Sequence, residues 1–298
     1  MEYRFEQVDV FTRTRFAGNP LAVFTDGRGL SDGDMQHIAR EMNLSETTFV
    51  TPSERADCVA RYRIFTPDWE MPFAGHPTVG TAYVLARAGL APPGTTAFNL
   101  EANVGPVPIR LEGDPRNPDA LFFNSPRVEF GVRFEDRAGI AAALSISPAD
   151  LLAQAPVEEA GCPVQYAYVG LGSPAVVDAV AVNPQAFLAA LGKPKIEGVY
   201  VFALRPQEPR VYARFLVFSG AGMWEDPATG SAACPLAAYL VRHRLLEDAP
   251  PIAVVIEQGT RMGRQSFLHA TVMHRHGDID SIEIGGSAVF VLSGTLEM

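Results

Sequence analysis

The octet Gly75-His76-Pro77-Thr78-Val79-Gly80-Thr81-Ala82 constrains this chain most, because the chain repeats it. Glu225-Asp226-Pro227-Ala228-Thr229-Gly230-Ser231-Ala232 matches it without gaps at Pro, Gly and Ala, with Thr81 and Ser231 as a conservative pair. The offset is 226 − 76 = 150 residues, about half of the 298-residue chain. A repeat at half the length predicts two related halves, each contributing one copy to a shared site. Each copy runs from a Pro, through Gly-Thr or Gly-Ser, into apolar residues at helical spacing. Each is therefore read as a helix start, where backbone N–H groups without intrahelical partners favour an anion.

The length is ample for a buried core in one large or two medium domains. Apolar residues make up 47% and charged residues 19%, an ordinary globular balance that argues against disorder. The net charge of −10 gives no basic field to attract phosphate, so nucleic acid is not an expected partner. No run approaches the roughly 18 consecutive apolar residues of a membrane span. The N-terminal residues Met1 to Glu6 carry neither a basic nor an apolar leader segment, so the expected compartment is the cytoplasm. Cys58, Cys162 and Cys234 are scattered without metal-type spacing and read as buried thiols of a reducing compartment.

Alternation predicts strands over 3–11, 21–24 and 57–66, with further pieces near 96–101, 106–111 and 120–123. Ser31, with Asp34 three residues later, predicts a capped helix ending near Asn43, and the first octet predicts a helix reaching Gly89. Composition shifts at Asp114-Pro115 and at Asn124-Ser125-Pro126. The halves are therefore expected at 1–125 and 126–285, with the last strand, about 286–298, returning to the first. In the second half, Ser147-Pro148 and Asn183-Pro184 predict helix starts. Strands are expected over 163–170, 174–181, 197–204, 210–218, 252–257, 267–274, 279–284 and 287–293. Pro235 falls in the second turn of the helix that follows the second octet, where it strains a regular helix. Many strands, few helices and two similar halves predict an α+β fold with mostly antiparallel sheets wrapped on central helices.

Several site chemistries are excluded by motif. The chain has no P-loop, no G-x-S-x-G elbow and no H-E-x-x-H, and Gly170-Leu171-Gly172 lacks the third glycine of a dinucleotide fingerprint. His274 and His276 share a strand face but read as a solvated strand end, so no metal site is expected. Glu46, in a turn entering an apolar strand, is the candidate proton carrier if partial burial raises its pKa, although a solvated turn carboxylate also fits. His76 and Asp226 occupy matching octet positions and are candidates to tune Glu46 and move protons, although a capping role also fits His76. Thr81, Ser231 and the neighbouring backbone N–H groups would hold an anionic substrate group.

At these residues the chain resembles the PhzF-like phenazine biosynthesis family. The matching blocks are Phe16 to Phe24, Asn43 to Phe49, Phe73 to Thr78, Glu225 to Ala232 and Glu257-Gln258-Gly259 with Met262-Gly263-Arg264. The one departure is Gln265, where the pattern has proline. The resemblance implies a diaminopimelate epimerase-like fold with two pseudo-symmetric halves and a site in the cleft between them. It implies cofactor-free isomerase chemistry of the trans-2,3-dihydro-3-hydroxyanthranilate isomerase type in a homodimer. Glu46 would carry the proton from C3, for return at C1, assisted by His76, Asp226 and Ser231. Asn19, Gly75, Thr78, Thr229 and Gly230, which lie in the same blocks, are the candidate substrate-binding residues. A two-thiol racemase, the other chemistry of that fold, would need a cysteine in each octet, and neither octet has one. The remaining alternative is a non-catalytic member that binds a small molecule or a protein.

Overall fold

The computed structural model describes residues 1–92, 94–162, 164–192, 196–205, 210–219, 222–246, 250–275 and 278–298. The chain divides into two compact units, Met1–Asn124 with Gly285–Met298, and Ser125–Ile284. The first contains β1 (Glu2–Val10), β2 (Asn19–Phe24), α1 (Asp32–Met42), β3 (Thr47–Thr51), β4 (Ala60–Phe65), β5 (Glu70–Met71), α2 (Gly75–Arg87), β6 (Ala97–Ala102), β7 (Gly105–Asp114) and β8 (Asn117–Asn124). The second contains β9 (Glu129–Phe134), α3 (Arg137–Ala143), β10 (Val157–Gly161), β11 (Gln165–Gly170), α4 (Pro174–Ala179), α5 (Pro184–Leu191), β12 (Gly198–Arg205), β13 (Arg210–Ser219), β14 (Gly222–Asp226), α6 (Gly230–Arg242), β15 (Ile252–Gln258), β16 (Ser266–Arg275) and most of β17 (Asp278–Gly286). The last strand, β18 (Ala288–Glu297), pairs antiparallel with β1.

The two units share one wiring. In the first, β1–β2 is antiparallel, β2–β3 parallel across α1, β3–β4 and β4–β5 antiparallel, β4–β6 parallel across α2, and β6–β7 antiparallel. In the second, β10–β11 is antiparallel, β11–β12 parallel across α4 and α5, β12–β13 and β13–β14 antiparallel, β13–β15 parallel across α6, and β15–β16 antiparallel. Each central helix is apolar around almost its whole circumference, which only a fully covered helix tolerates. Every residue from Gly75 to Ala86 is buried, as is every residue from Gly230 to Val241 except Ser231. Within its own unit α2 packs on β1, β2, β3, β8 and β18, and α6 packs on β10, β15 and β16.

The element boundaries correct the phase of the repeat. Both central helices have thirteen residues and begin at Gly75 and Gly230, an offset of 230 − 75 = 155 rather than 150. At that offset Trp69-Glu70-Met71-Pro72-Phe73-Ala74-Gly75 matches Trp224-Glu225-Asp226-Pro227-Ala228-Thr229-Gly230 at Trp, Glu, Pro and Gly. Side chains repeat the correspondence: Arg63 grips Glu70 at 2.6 and 2.8 Å, and Arg214 grips Glu225 at 2.9 and 3.0 Å. His76 therefore corresponds to Ser231, and Asp226 to Met71. The first octet lies wholly inside α2, whereas the second starts in β14 and reaches α6 only at Gly230.

Local chemistry explains most other elements. Ser31 and Asp34 form a reciprocal capping box on α1, and Asn43 ends the helix in a left-handed conformation at φ 51°. Met35, Ile38 and Ala39 then pack into a cluster with Phe24, Phe49 and Phe65. The expected strand over 174–181 is instead α4. The Ser173 side chain caps it by accepting from Val176 N–H, and Pro174 fits the first turn, so the caps outweigh the β-branched valines. Ser147-Pro148 starts only a three-residue 3₁₀ turn, because Leu151 is already extended. Pro235 lies inside α6, whose helix continues through it. Strands β9, β10 and β14 and helix α3 carry too little alternation to be read locally. His274 is buried at 6% exposure on β16, so its expected solvation is wrong; His276 lies outside the described residues. Cys162 and Cys234 are buried free thiols, while Cys58 is partly exposed and precedes β4. Among the described residues no helix is long and apolar enough to cross a membrane.

Gly80 sets how closely α2 approaches its sheet. A β-carbon there would lie 2.5 Å from Leu21 Cδ2 and 2.9 Å from Val10 Cγ2, both fully buried. Gly80→Ala gains about 1 kcal/mol of helix propensity but overpacks this contact at about 1–3 kcal/mol. We expect a net loss of about 1 kcal/mol, a fall in Tm of roughly 2–4 °C by calorimetry. A raised Tm would show that the sheet relaxes around the added methyl.

Candidate active site

In the first unit, α1 ends at Asn43 and three residues later Glu46 stands immediately before β3. His76 is the second residue of α2, whose N-cap, Ala74, offers no side chain to the first helical N–H groups. The Glu46 Oε2 to His76 Nε2 distance is 3.3 Å, with side-chain exposures of 15% and 6%. Burial drives the His76 pKa down to about 3, because an imidazolium would lose its hydration. An ionised Glu46 would oppose that shift, but the ring is enclosed and we assign it as neutral at pH 7. The arrangement is a carboxyl group with residual solvent access beside a neutral imidazole at the positive end of a helix.

The neighbouring threonines are structural. The Thr78 hydroxyl donates to Ala74 O at 2.7 Å and lies 2.7 Å from Tyr62 OH, and Thr81 Oγ1 lies 2.9 Å from Thr48 Oγ1. Both threonines are fully buried, so Thr78 and Thr81 fix α2 against β4 and β3 rather than present hydroxyls to a ligand. Asn19 is fully buried at the start of β2, opposite Val10. Gly75 offers only backbone, at the first position of α2.

In the second unit, Asp226 ends β14 and pairs with Phe215 on β13. Its carboxylate accepts from Thr229 Oγ1, so the Thr229 hydroxyl faces Asp226 instead of capping α6. Gln258, fully buried at the end of β15, braces this loop. Its amide donates to Asp226 O at 2.7 Å and Thr229 Oγ1 at 3.1 Å. Its carbonyl accepts from Tyr200 OH at 2.6 Å and Thr229 N–H at 3.3 Å. Ser231, the second residue of α6, stays partly exposed, with its Oγ 3.3 Å from Tyr166 OH. Burial raises the Tyr166 hydroxyl well above its usual range; the hydrogen bond with Ser231 opposes this, and the nearby Glu197, Cys162 and Asp226 charges add to it. Tyr166 is therefore a neutral hydroxyl at pH 7. Gly230, like Gly75, contributes backbone at a helix start.

The structure thus pairs Glu46 with His76, and groups Asp226, Thr229 and Ser231 around one loop and helix start. Sequence reasoning missed Gln258 as the brace and Tyr166 as the partner of Ser231. The repeated Trp-Glu-x-Pro-x-x-Gly would have shown that His76 corresponds to Ser231. A cavity of about 990 Å³ in the second unit is lined by Ser125, Arg127, Phe130, Arg242, Asp278 and Ile282 among others, and by none of the candidate site residues. Among the described residues no group of three His, Cys, Asp or Glu is placed to hold a metal ion.

The depressed His76 pKa carries a stability prediction. The folded ring binds no proton until about pH 3, whereas an unfolded histidine binds one near 6.5. Between these values the unfolded state holds the extra proton, so stability is full above pH 6.5 and is lost as pH falls toward 3. Denaturant titrations at pH 7 and pH 5 should show a shallower loss in His76→Gln than in the wild type. Equal slopes would mean that the ring is protonated in the fold.

Residues 8–294 match the phenazine biosynthesis-like protein family, PhzC-PhzF. The chain is 38% identical to an uncharacterized isomerase of Mesorhizobium japonicum, over 97% of this chain and 96% of that protein. It is 35% identical to the trans-2,3-dihydro-3-hydroxyanthranilate isomerase of Pseudomonas aeruginosa, over 98% of each. Among solved structures, the phenazine biosynthesis protein, PhzF family, of Bacillus anthracis superimposes with a TM-score of 0.88 at 25% identity, over the whole of both chains. A hydroxyproline epimerase from Agrobacterium vitis shares the fold, with a TM-score of 0.65 at 12% identity, over 99% of this chain and 92% of that one.

Proposed function

The chain belongs to the phenazine biosynthesis-like family and is an isomerase, and from that premise we propose that it moves a proton on a small cyclic or amino carboxylate without a cofactor. The substrate class is that of trans-2,3-dihydro-3-hydroxyanthranilate, the compound named for the Pseudomonas aeruginosa relative. The observation that carries the reading is the Glu46–His76 pair, 3.3 Å apart at a helix N-terminus without a side-chain cap. Glu46 takes the proton from one carbon, exchanges it with solvent through its partly exposed carboxyl group, and a proton is delivered at another carbon. The neutral His76 ring keeps that carboxyl group in place without fixing it as a permanent ion pair.

Ser231 and the Gly230 backbone, at the start of α6, are assigned to the substrate carboxylate, and Asp226 to proton handling in the same reaction. Asn19 and Gly75 join the substrate-binding set. Thr229 acts through Asp226, and Thr78 through the placement of α2. The proposed assembly is a homodimer. The free thiols Cys162 and Cys234 support a reducing, cytoplasmic setting.

Incubation with trans-2,3-dihydro-3-hydroxyanthranilate in D₂O tests the substrate. The expected result is an isomerised product carrying one solvent deuteron at the carbon that receives the proton. Unchanged substrate, with no deuterium gained, would overturn this substrate class.

A further inference from the structure

Ser231 is the one residue of α6 between Gly230 and Val241 that is not buried, and three neighbouring side chains fix the turn that carries it. Pro235 has no N–H to donate to Ser231 O four residues earlier, and the Cys162 thiol donates there instead, at 3.8 Å. Tyr168 OH donates to the next carbonyl, Ala232 O, at 2.8 Å. Tyr166 lies two residues before Tyr168 on the same face of β11, and its OH reaches the Ser231 hydroxyl at 3.3 Å. The phenol is held in this place. Tyr166 is 7% exposed, and its ring packs edge-on against Phe215 with centroids 4.9 Å apart. Phe215 is in turn the β13 partner of Asp226.

The hydrogen count gives this contact a direction. A hydroxyl carries one hydrogen to donate and two lone pairs to accept with. Among the described residues Ser231 Oγ is the one hydrogen-bond partner of Tyr166 OH. If Ser231 donated, the buried phenol would keep a hydrogen without an acceptor, which is the costly arrangement. If Tyr166 donates, both groups are satisfied, because Ser231 is partly exposed and its own hydrogen turns to the open side. Thr229 gives α6 no side-chain cap, so the start of the helix also favours an anion there.

We propose that Tyr166 is a positioning residue, which donates to Ser231 and so commits the serine hydrogen to the carboxylate of the substrate. The pair therefore favours an anionic acceptor over a neutral one of similar shape, since a hydrogen bond to a charged group is the stronger. The proposal deepens the isomerase reading above and rests on its assignment of Ser231 to the substrate carboxylate.

Anthranilate and anthranilamide, its uncharged counterpart, are titrated by their fluorescence against the full chain as wild type, Tyr166→Phe, Ser231→Ala and the double variant. Tyr166→Phe keeps the ring and its packing on Phe215 and removes only the donor. It should weaken anthranilate about fivefold and anthranilamide less than about twofold. Ser231→Ala should weaken anthranilate about tenfold. Adding Tyr166→Phe to it should bring no further loss, because the phenol acts only through the serine. A merely structural tyrosine would weaken both probes alike and would add its loss to that of Ser231→Ala. An unchanged anthranilate Kd in Tyr166→Phe, equal weakening of both probes, additive losses in the double variant, or a wild type that does not prefer anthranilate would each overturn the proposal. Anthranilate binding unaffected by Ser231→Ala would overturn it together with its premise. The acid/base reading fails separately, by turnover that survives Glu46→Gln.

Discussion

Glu46→Gln is expected to lower turnover, and substrate-linked uptake of solvent deuterium, by about 10²–10⁴-fold, the usual contribution of one positioned acid or base. The substitution keeps the size of the side chain and its approach to His76 Nε2, now 3.3 Å from the carboxylate. It removes only the capacity to take and return a proton. The side chain is 15% exposed and sits in a turn before β3, so its removal leaves the packing of the strand intact. Kinetics and calorimetry on the same preparation separate the two effects, with turnover collapsing while Tm moves by no more than a few degrees. An enzyme that kept full deuterium uptake would place the acid/base elsewhere in the chain.

The second large effect is on stability. Gln258→Leu fills the same buried space but leaves Tyr200 OH, Thr229 N–H and Asp226 O without their partner. Each buried polar group left unsatisfied costs about 1–3 kcal/mol, so we expect a loss of about 3–5 kcal/mol and a fall in Tm of roughly 10 °C. Gln258→Glu tests the same brace differently, because it keeps the acceptor for Tyr200 but cannot donate to Asp226 O when ionised. It should be destabilised at neutral pH and should recover as the pH falls and the acid protonates. A Leu variant as stable as the wild type would mean that water replaces Gln258 beneath the 226–229 loop.

Much of the fold was legible because its signals are local. The Ser31–Asp34 capping box, the Asn183-Pro184 helix start and the apolar run after Gly75 each act within one or two turns of chain. Helix α4 reads as extended in the sequence because Val176, Val177 and Val180 favour strands, while the Ser173 cap, a single hydrogen bond, decides for helix. The repeat is visible in the sequence, but the octet alignment lies five residues out of phase with the helices. Matching glycines inside α2 and at the start of α6 aligned by chance, whereas the Trp-Glu-x-Pro-x-x-Gly match follows the element boundaries. The candidate residues were nameable from their blocks. Their partners were not, since Tyr166 lies in ordinary strand sequence and Gln258, although inside a matching block, gains its role only from what the end of β15 touches.

The sequence by itself determined two related α+β halves and the buried central helices, because apolar periodicity and capping are properties of contiguous residues, and the octets and family blocks named Glu46, His76, Asp226 and Ser231 as candidates. The tertiary structure decided which of those residues meet. Glu46 and His76 come within 3.3 Å only because β2, β3 and α2 pack in one register. Gln258 reaches Asp226, 32 residues away, only because β13 pairs with β14 on one stretch and β15 on another. A slip of one residue in any of these ladders would turn every side chain to the opposite face, so the pairing that makes the site belongs to the register and cannot be read from either strand alone.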